Sequence, residues 1–133
     1  MPQPAARQND PVTGVDIHIV MVPGPNGETP VPLPHPFSGK ITGKVSTDVK
    51  IKGKGAALVG SEVQNSPSHI ATPPGTRFQN NPKNKGEVKF GSMSVKINGK
   101  AAARMGDSVA TCNDPVDVPT GVISAGEPSV LIG

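Results

Sequence analysis

Apolar residues alternate with polar or charged ones over Asp48-Val49-Lys50-Ile51-Lys52 and again over Ser94-Val95-Lys96-Ile97-Asn98, and each run breaks at a glycine before a pair of alanines. Period-two alternation is the pattern of a half-buried strand, and a glycine-bearing turn after it predicts a hairpin. The residues that follow keep one order in both places: Gly53-Lys54-Gly55-Ala56-Ala57-Leu58-Val59-Gly60-Ser61 in the first, Gly99-Lys100-Ala101-Ala102-Ala103-Arg104-Met105-Gly106-Asp107 in the second. A third copy is divided between the two ends. Pro4-Ala5-Ala6-Arg7-Gln8-Asn9-Asp10 matches Ala101 to Asp107, and Gly126-Glu127-Pro128-Ser129-Val130-Leu131-Ile132-Gly133 matches Gly91 to Asn98. Each repeat is a supersecondary unit that buries its apolar face only by packing on its siblings.

Between the repeats the pattern changes character. Gly14-Val15-Asp16-Ile17-His18-Ile19-Val20-Met21-Val22 alternates and then turns continuously apolar, which predicts a strand passing from half-buried to buried. Residues 23–36 hold six prolines, at 23, 25, 30, 32, 34 and 36. Proline lacks the backbone N–H that a helix or an interior strand needs, so this stretch is expected to be an ordered, extended arm. Asn65-Ser66-Pro67-Ser68 and Asp114-Pro115 read as turns, and the polar, Asn-, Lys-, Gly- and Pro-rich residues 73–90 as a long surface loop. No segment carries a 3.6-residue period, so little helix is expected. Lys44, Lys50, Lys52 and Lys54 are expected on a solvated strand face.

Composition sharpens the picture. Val (16) and Ile (8) far outnumber Leu (3), which favours pleated structure, and 133 residues without a change of composition fit a single domain, 1–133. The core must be thin. Gly and Pro account for 32 residues, while Trp and Tyr are absent and Phe occurs three times, so a further staple is expected. A disulfide cannot serve, because there is one cysteine. The net charge of +3 is not interleaved with aromatic residues as a single-strand nucleic-acid surface would be. No run is apolar for the roughly 20 residues that a bilayer demands, and Met1-Pro2-Gln3-Pro4 does not begin a secretory signal. Synthesis in the cytoplasm is the expectation, with export by a machine that reads no signal peptide.

The chemistry-bearing residues are few. Histidine occurs at 18, 35 and 69 and cysteine at 112. Three imidazoles and a thiolate make up a tetrahedral zinc set, yet none of these residues forms the short ligand pairs of a zinc finger, so composition leaves open a metal site or unrelated histidines with an inert thiol. A Cys112 nucleophile with His69 or His35 as base, oriented by Asp107 or Asp114, would make a hydrolase, but no nucleophile signature surrounds Thr111-Cys112-Asn113.

Pro4-Ala5-Ala6-Arg7, together with Val95-Lys96-Ile97-Asn98-Gly99-Lys100 and Ala102-Ala103-Arg104-Met105-Gly106-Asp107, resembles the PAAR-repeat family, over nearly the whole chain. The resemblance implies a small, cone-shaped, pseudo-threefold β domain. It further implies a structural, non-enzymatic tip that caps the trimeric, VgrG-like β-helical spike of a type VI secretion system or related contractile injection machine, one copy per trimer, and links effectors to it. The family's zinc ion, bound by three His and one Cys, would fall to His18, His35, His69 and Cys112. In many relatives a His follows the first Asp-Pro turn at once, whereas here seven residues, 11–17, separate Asp10 from His18. The Pro-rich arm is then expected to be an insertion. With the last repeat strand ending at Gly133, a bare tip without a fused toxin domain is expected.

Overall fold

The computed structural model describes residues 2–133, and these contain no helix. The strands are β1 (Gln3–Ala5), β2 (Pro11–Gly24), β3 (Gly27–Gly43), β4 (Lys50–Ile51), β5 (Lys54–Gly55), β6 (Glu62–Asn65), β7 (Arg77–Phe78), β8 (Lys85–Val88), β9 (Lys96–Ile97), β10 (Lys100–Ala101), β11 (Ser108–Thr111), β12 (Val118–Ile123) and β13 (Glu127–Ile132). The expectation of a mostly β chain holds.

At one end stand three short hairpins. β4 pairs with β5 and β9 with β10, each through a two-residue turn with both residues at positive φ: Lys52 at 49° and Gly53 at 79°, Asn98 at 53° and Gly99 at 79°. That backbone matches the right-handed twist of the flanking strands. The third hairpin is β13 against β1, with Gln3 opposite Ile132 and Pro4 opposite Leu131. The divided repeat is therefore reassembled in space, and the Gln3–Ile132 pair stands in the place of the pairs that flank the turns of the other two hairpins, Ile51–Lys54 and Ile97–Lys100.

Beneath the hairpins the three Ala-Ala pairs meet in a closed ring of backbone hydrogen bonds. Ala6 N–H donates to Ala103 O (3.0 Å), Ala103 N–H to Ala57 O (2.9 Å) and Ala57 N–H to Ala6 O (3.0 Å). Below the ring each repeat turns at a residue with positive φ: Asn9 (74°), Gly60 (99°) and Gly106 (93°). The core follows the same threefold pattern. Ala5, Ala56 and Ala102 pack with Ile51, Ile97 and Ile132 in one layer, and the next holds Ala6, Ala57 and Ala103 with Val12, Val63, Val109, Ile41, Val88 and Ile123.

Away from the hairpins the chain closes into a ring of six antiparallel strands in the order β12-β11-β8-β6-β3-β2, with β12 returning to β2 at Val12 and Thr13. Closure leaves these strands without an open edge at that level. Gly39, Gly86 and Gly121 stand two residues before Ile41, Val88 and Ile123. A Cβ there would lie 2.7 Å from Gln64 O, 2.8 Å from Ala110 O and 2.7 Å from Thr111 Cγ2 respectively, so the close approach of strands needs glycine at all three places.

The Pro-rich stretch differs from the expected arm: residues 27–36 lie in β3, paired with β2 from Gly24 opposite Gly27 to Pro11 opposite Lys40. The reason is parity. Pro30, Pro32, Pro34 and Pro36 oppose Met21, Ile19, Ile17 and Val15, and Met21 O and Ile19 O turn away from β3 to accept the Thr76 and Gln79 N–H groups. The prolines thus occupy positions that exchange no hydrogen bonds with β2, and their missing N–H groups fall on the outer edge of β3. That edge presents no donor from residue 30 to 36, so it cannot template another strand. The expected loop at 73–90 likewise contains β7, beside β2, and β8, between β6 and β11.

Candidate metal centre

β2 alternates faces, so Asp16, His18 and Val20 all point inward, with exposures of 0, 1 and 0%. Opposite, β3 turns His35 (1% exposed) and Phe37 inward. Cys112 follows β11 directly, and His69 lies in the turn after β6, held by its N–H to Asn84 Oδ1 (2.8 Å). Asn84, at φ 57°, also binds Asn65 through both side chain and backbone.

These placements gather three of the four expected ligands. The donor atoms of His18, His69, Cys112 and Asp16 all lie within 4.8 Å of one another. Cys112 Sγ is 3.6 Å from His18 Nε2 and 3.4 Å from Asp16 Oδ2, and His18 Nε2 is 3.9 Å from Asp16 Oδ2. Donors on a tetrahedral zinc stand roughly 3.3–3.6 Å apart, so the residues present fit such an ion. His69 Nε2 is closer, 2.8 Å from Asp16 Oδ2, a hydrogen bond in place of a shared ion. The fourth expected ligand, His35, is adjacent but engaged: Nδ1 is 2.9 Å from Leu33 O, Nε2 accepts the Thr72 N–H at 3.1 Å, and the ring centre is 5.5 Å from that of His18.

The surroundings hold the cluster in place. Asp16 Oδ1 accepts the Thr111 hydroxyl and the Asn113 amide (3.3 Å), and Asn113 Oδ1 accepts the Ile17 N–H. Asp114 takes the Ile19 N–H on Oδ2, which also lies 3.5 Å from His18 Nδ1, a buried atom with no hydrogen-bond partner. A carboxylate behind an imidazole is the arrangement that orients a metal-binding histidine. Thr111-Cys112-Asn113-Asp114 therefore supplies one donor and three positioning groups. Sequence reasoning missed Asp16; its signal was an acid two residues before His18, hence on the same strand face. Clefts lined by Asn81, Pro82 and Val116 on one side and by Ser68 and Ile70 on the other reach the cluster.

The electrostatics are compatible with a bound cation. Asp16 and Asp114 both face His18, and among the described residues the only basic groups within 4.0 Å of either are histidines. Burial lowers the pKa of His18, against the pull of Asp114, and lowers that of His35 as well. Burial, helped by the charge of Asp16, pushes the Cys112 thiol up to about 11. That is the reverse of an activated nucleophile.

These shifts set the stability of chelator-treated protein. Below about pH 6.5 the unfolded chain takes up protons that the buried imidazoles resist, so stability falls as pH drops. Above the ordinary thiol value of 9.0 the unfolded cysteine ionises first, and stability falls again toward pH 11, by up to about 3 kcal/mol at about 1.4 kcal/mol per unit. Thermal melts in chelator are expected to peak between these limits; a melting temperature that climbs below pH 6.5 would contradict the burial of His18 and His35.

Residues 79–133 match the family model described as PAAR motif. Those residues carry a PAAR motif. The match spans the Ala102-Ala103 repeat, β8 to β13 and Cys112, and the ring of Ala6, Ala57 and Ala103 ties the other repeats to it. No curated protein and no solved structure matches the chain. PAAR proteins are a family associated with the spike tips of type VI secretion systems. No helix of the structure is long and apolar enough to cross a membrane.

Proposed function

We propose that this PAAR protein is a structural tip that caps the trimeric, VgrG-like spike of a contractile injection machine, closed by zinc and carrying effectors with it. The observation that carries this reading is the end bearing three equivalent hairpins. A monomer that repeats one strand edge three times around an axis meets a threefold partner without breaking that partner's symmetry. The metal cluster lies where β2, the residues after β11 and the turn bearing His69 converge, and a dication bound there would add a cross-link to the hydrogen bonds by which Thr111, Asn113, Asp114 and His69 already reach β2. Its work is mechanical: His18, His69 and Cys112 hold the ion, and Thr111, Asn113 and Asp114 hold the ligands. A cysteine hydrolase is disfavoured by a thiol that is buried and held protonated.

Mixed with its cognate spike, the protein is expected to form a complex of one chain per spike trimer, read by light scattering or mass photometry. Three chains per trimer would place each copy on a single spike subunit and rule out axial capping. In cells, the chain is expected to leave the cytoplasm only when the sheath of the machine contracts.

A further inference from the structure

We infer that the hairpin end is a cationic docking face, so that the spike it caps presents carboxylates around its own axis. This rests on the capping reading above and adds to it the chemistry of the partner.

The net charge of the molecule sits at that one end. Lys50, Lys52 and Lys54 belong to the β4–β5 hairpin, and Lys96 and Lys100 to the β9–β10 hairpin, against Asp48 just before β4 and Glu127 at the start of β13. The balance there is +3, which is the net charge of the whole chain, because the other eight lysines and arginines are matched in number by the other eight acids. The rest of the molecule is neutral.

Away from the hairpins the cations meet anions. Lys44 is 3.4 Å from Glu62, Arg77 2.5 Å from Glu28, Lys83 3.0 Å from Asp117 and Lys89 3.5 Å from Glu87. At the hairpin end Lys52 reaches Glu127 at 4.0 Å, and the other oxygen of that carboxylate is held by Arg7 at 3.3 Å. Among the described residues no carboxylate lies within 4.0 Å of Lys50, Lys54, Lys96 or Lys100, and Asp48 accepts from Asn98 Nδ2 at 2.7 Å. Like charges gathered without partners on one face repel each other, and an acidic partner turns that repulsion into attraction.

The threefold arrangement says how the partner's groups are distributed. Lys50, Lys96 and Leu131 occupy one position in the three repeats, and Lys54, Lys100 and Gln3, which oppose Ile51, Ile97 and Ile132, occupy another. Two sectors are cationic. The third is apolar, with Leu131 58% exposed and Val130 37%. A trimeric spike repeats one set of groups three times, so each subunit offers a carboxylate beside an apolar spot. The lysines steer the approach, and Val49, Val130 and Leu131 lose their exposed surface on contact.

The rate at which the protein associates with its purified cognate spike trimer reads this directly. It is expected to fall about tenfold between about 50 and about 500 mM sodium chloride, with little change in dissociation. Lys50→Gln combined with Lys96→Gln should slow association at low salt by about fivefold and flatten the salt dependence. Lys40→Gln combined with Lys85→Gln removes the same charge from the strand ring and should leave the rate within about twofold. Leu131→Lys gives the third sector the residue of the other two and should quicken association by about twofold or more. A rate that ignores salt, equal slowing in the two double variants, or equal binding to a short DNA duplex would overturn the inference. A complex of one chain per trimer that forms at the same rate at every salt concentration leaves capping intact and removes the acidic partner. No complex at any salt concentration defeats the capping reading itself, and this inference with it.

Discussion

Stripping the metal with a chelator is expected to lower the melting temperature by roughly 10–15 °C and to do so unevenly along the molecule. Zinc at a free concentration of about a thousand times its Kd stabilises by about 4 kcal/mol, and in a domain of this size each kcal/mol moves the melting temperature by about 3–4 °C. The unevenness follows from what the ligands join. Of the proposed ligands, His18 lies on β2 and His35 opposite it on β3, Cys112 follows β11, and His69 sits in a turn tied down by Asn84. Without the ion, the His69 turn loses one of its few fixed points. The Ala6, Ala57 and Ala103 amides bond only to one another's carbonyls and keep those partners. Hydrogen exchange after chelation should therefore speed up at residues 66–76 and 111–114 and stay slow at the three alanines. Cys112→Ser should reproduce the effect in the presence of zinc. Uniform loss of protection would mean that the ion holds the whole fold, and no change at all would mean that the cluster holds no structural ion.

Much of this architecture was readable in the residues because it is built locally. Asn98-Gly99 specifies a tight hairpin turn by its own backbone preferences, while the first turn, expected at Gly53-Lys54-Gly55, falls one residue earlier at Lys52-Gly53; the recurrence of Ala-Ala at 5–6, 56–57 and 102–103 reveals the repeats and the joining of the ends. The Pro-rich stretch was misjudged because a proline count excludes an interior strand but not an edge one. The informative feature was the spacing at 30, 32, 34 and 36, a period of two that puts every missing N–H on the same edge. β8 was hidden for another reason. Lys85-Gly86-Glu87-Val88 has too few apolar residues to announce a strand, and it becomes one because β6 and β11 flank it. Asp16 was passed over at the cluster because its neighbours, Val15 and Ile17, made it look like the polar half of an alternating strand. On that strand the polar half, with His18, faces inward, and Val15 and Ile17 are 52% and 40% exposed.

Ala103→Leu is expected to destabilise the protein more than any other single surface-neutral change, by about 3 kcal/mol or more and hence by roughly 10 °C. Ala6 and Ala103 are 0% exposed and Ala57 is 1%, and the strands that carry them are drawn together by the three-membered ring of backbone bonds. A leucine side chain here cannot swing outward, because the ring fixes the Cα positions and the neighbouring layers hold Ile41, Val88 and Ile123 on one side and Ala5, Ala56 and Ala102 on the other. Overpacking a filled core commonly costs about 1–3 kcal/mol, and a site hemmed in by three backbones lies at or above the top of that range. Because the ring is what aligns the hairpins, the same change should abolish binding to the trimeric spike even at temperatures where the chain stays folded. Met93→Leu supplies the contrast: that side chain is 99% exposed near the hairpin end, and its replacement should shift stability by no more than about 0.5 kcal/mol. If Ala103→Leu melted within a few degrees of the wild type and still capped the spike, the alanine ring would not be the axis on which the three repeats are assembled.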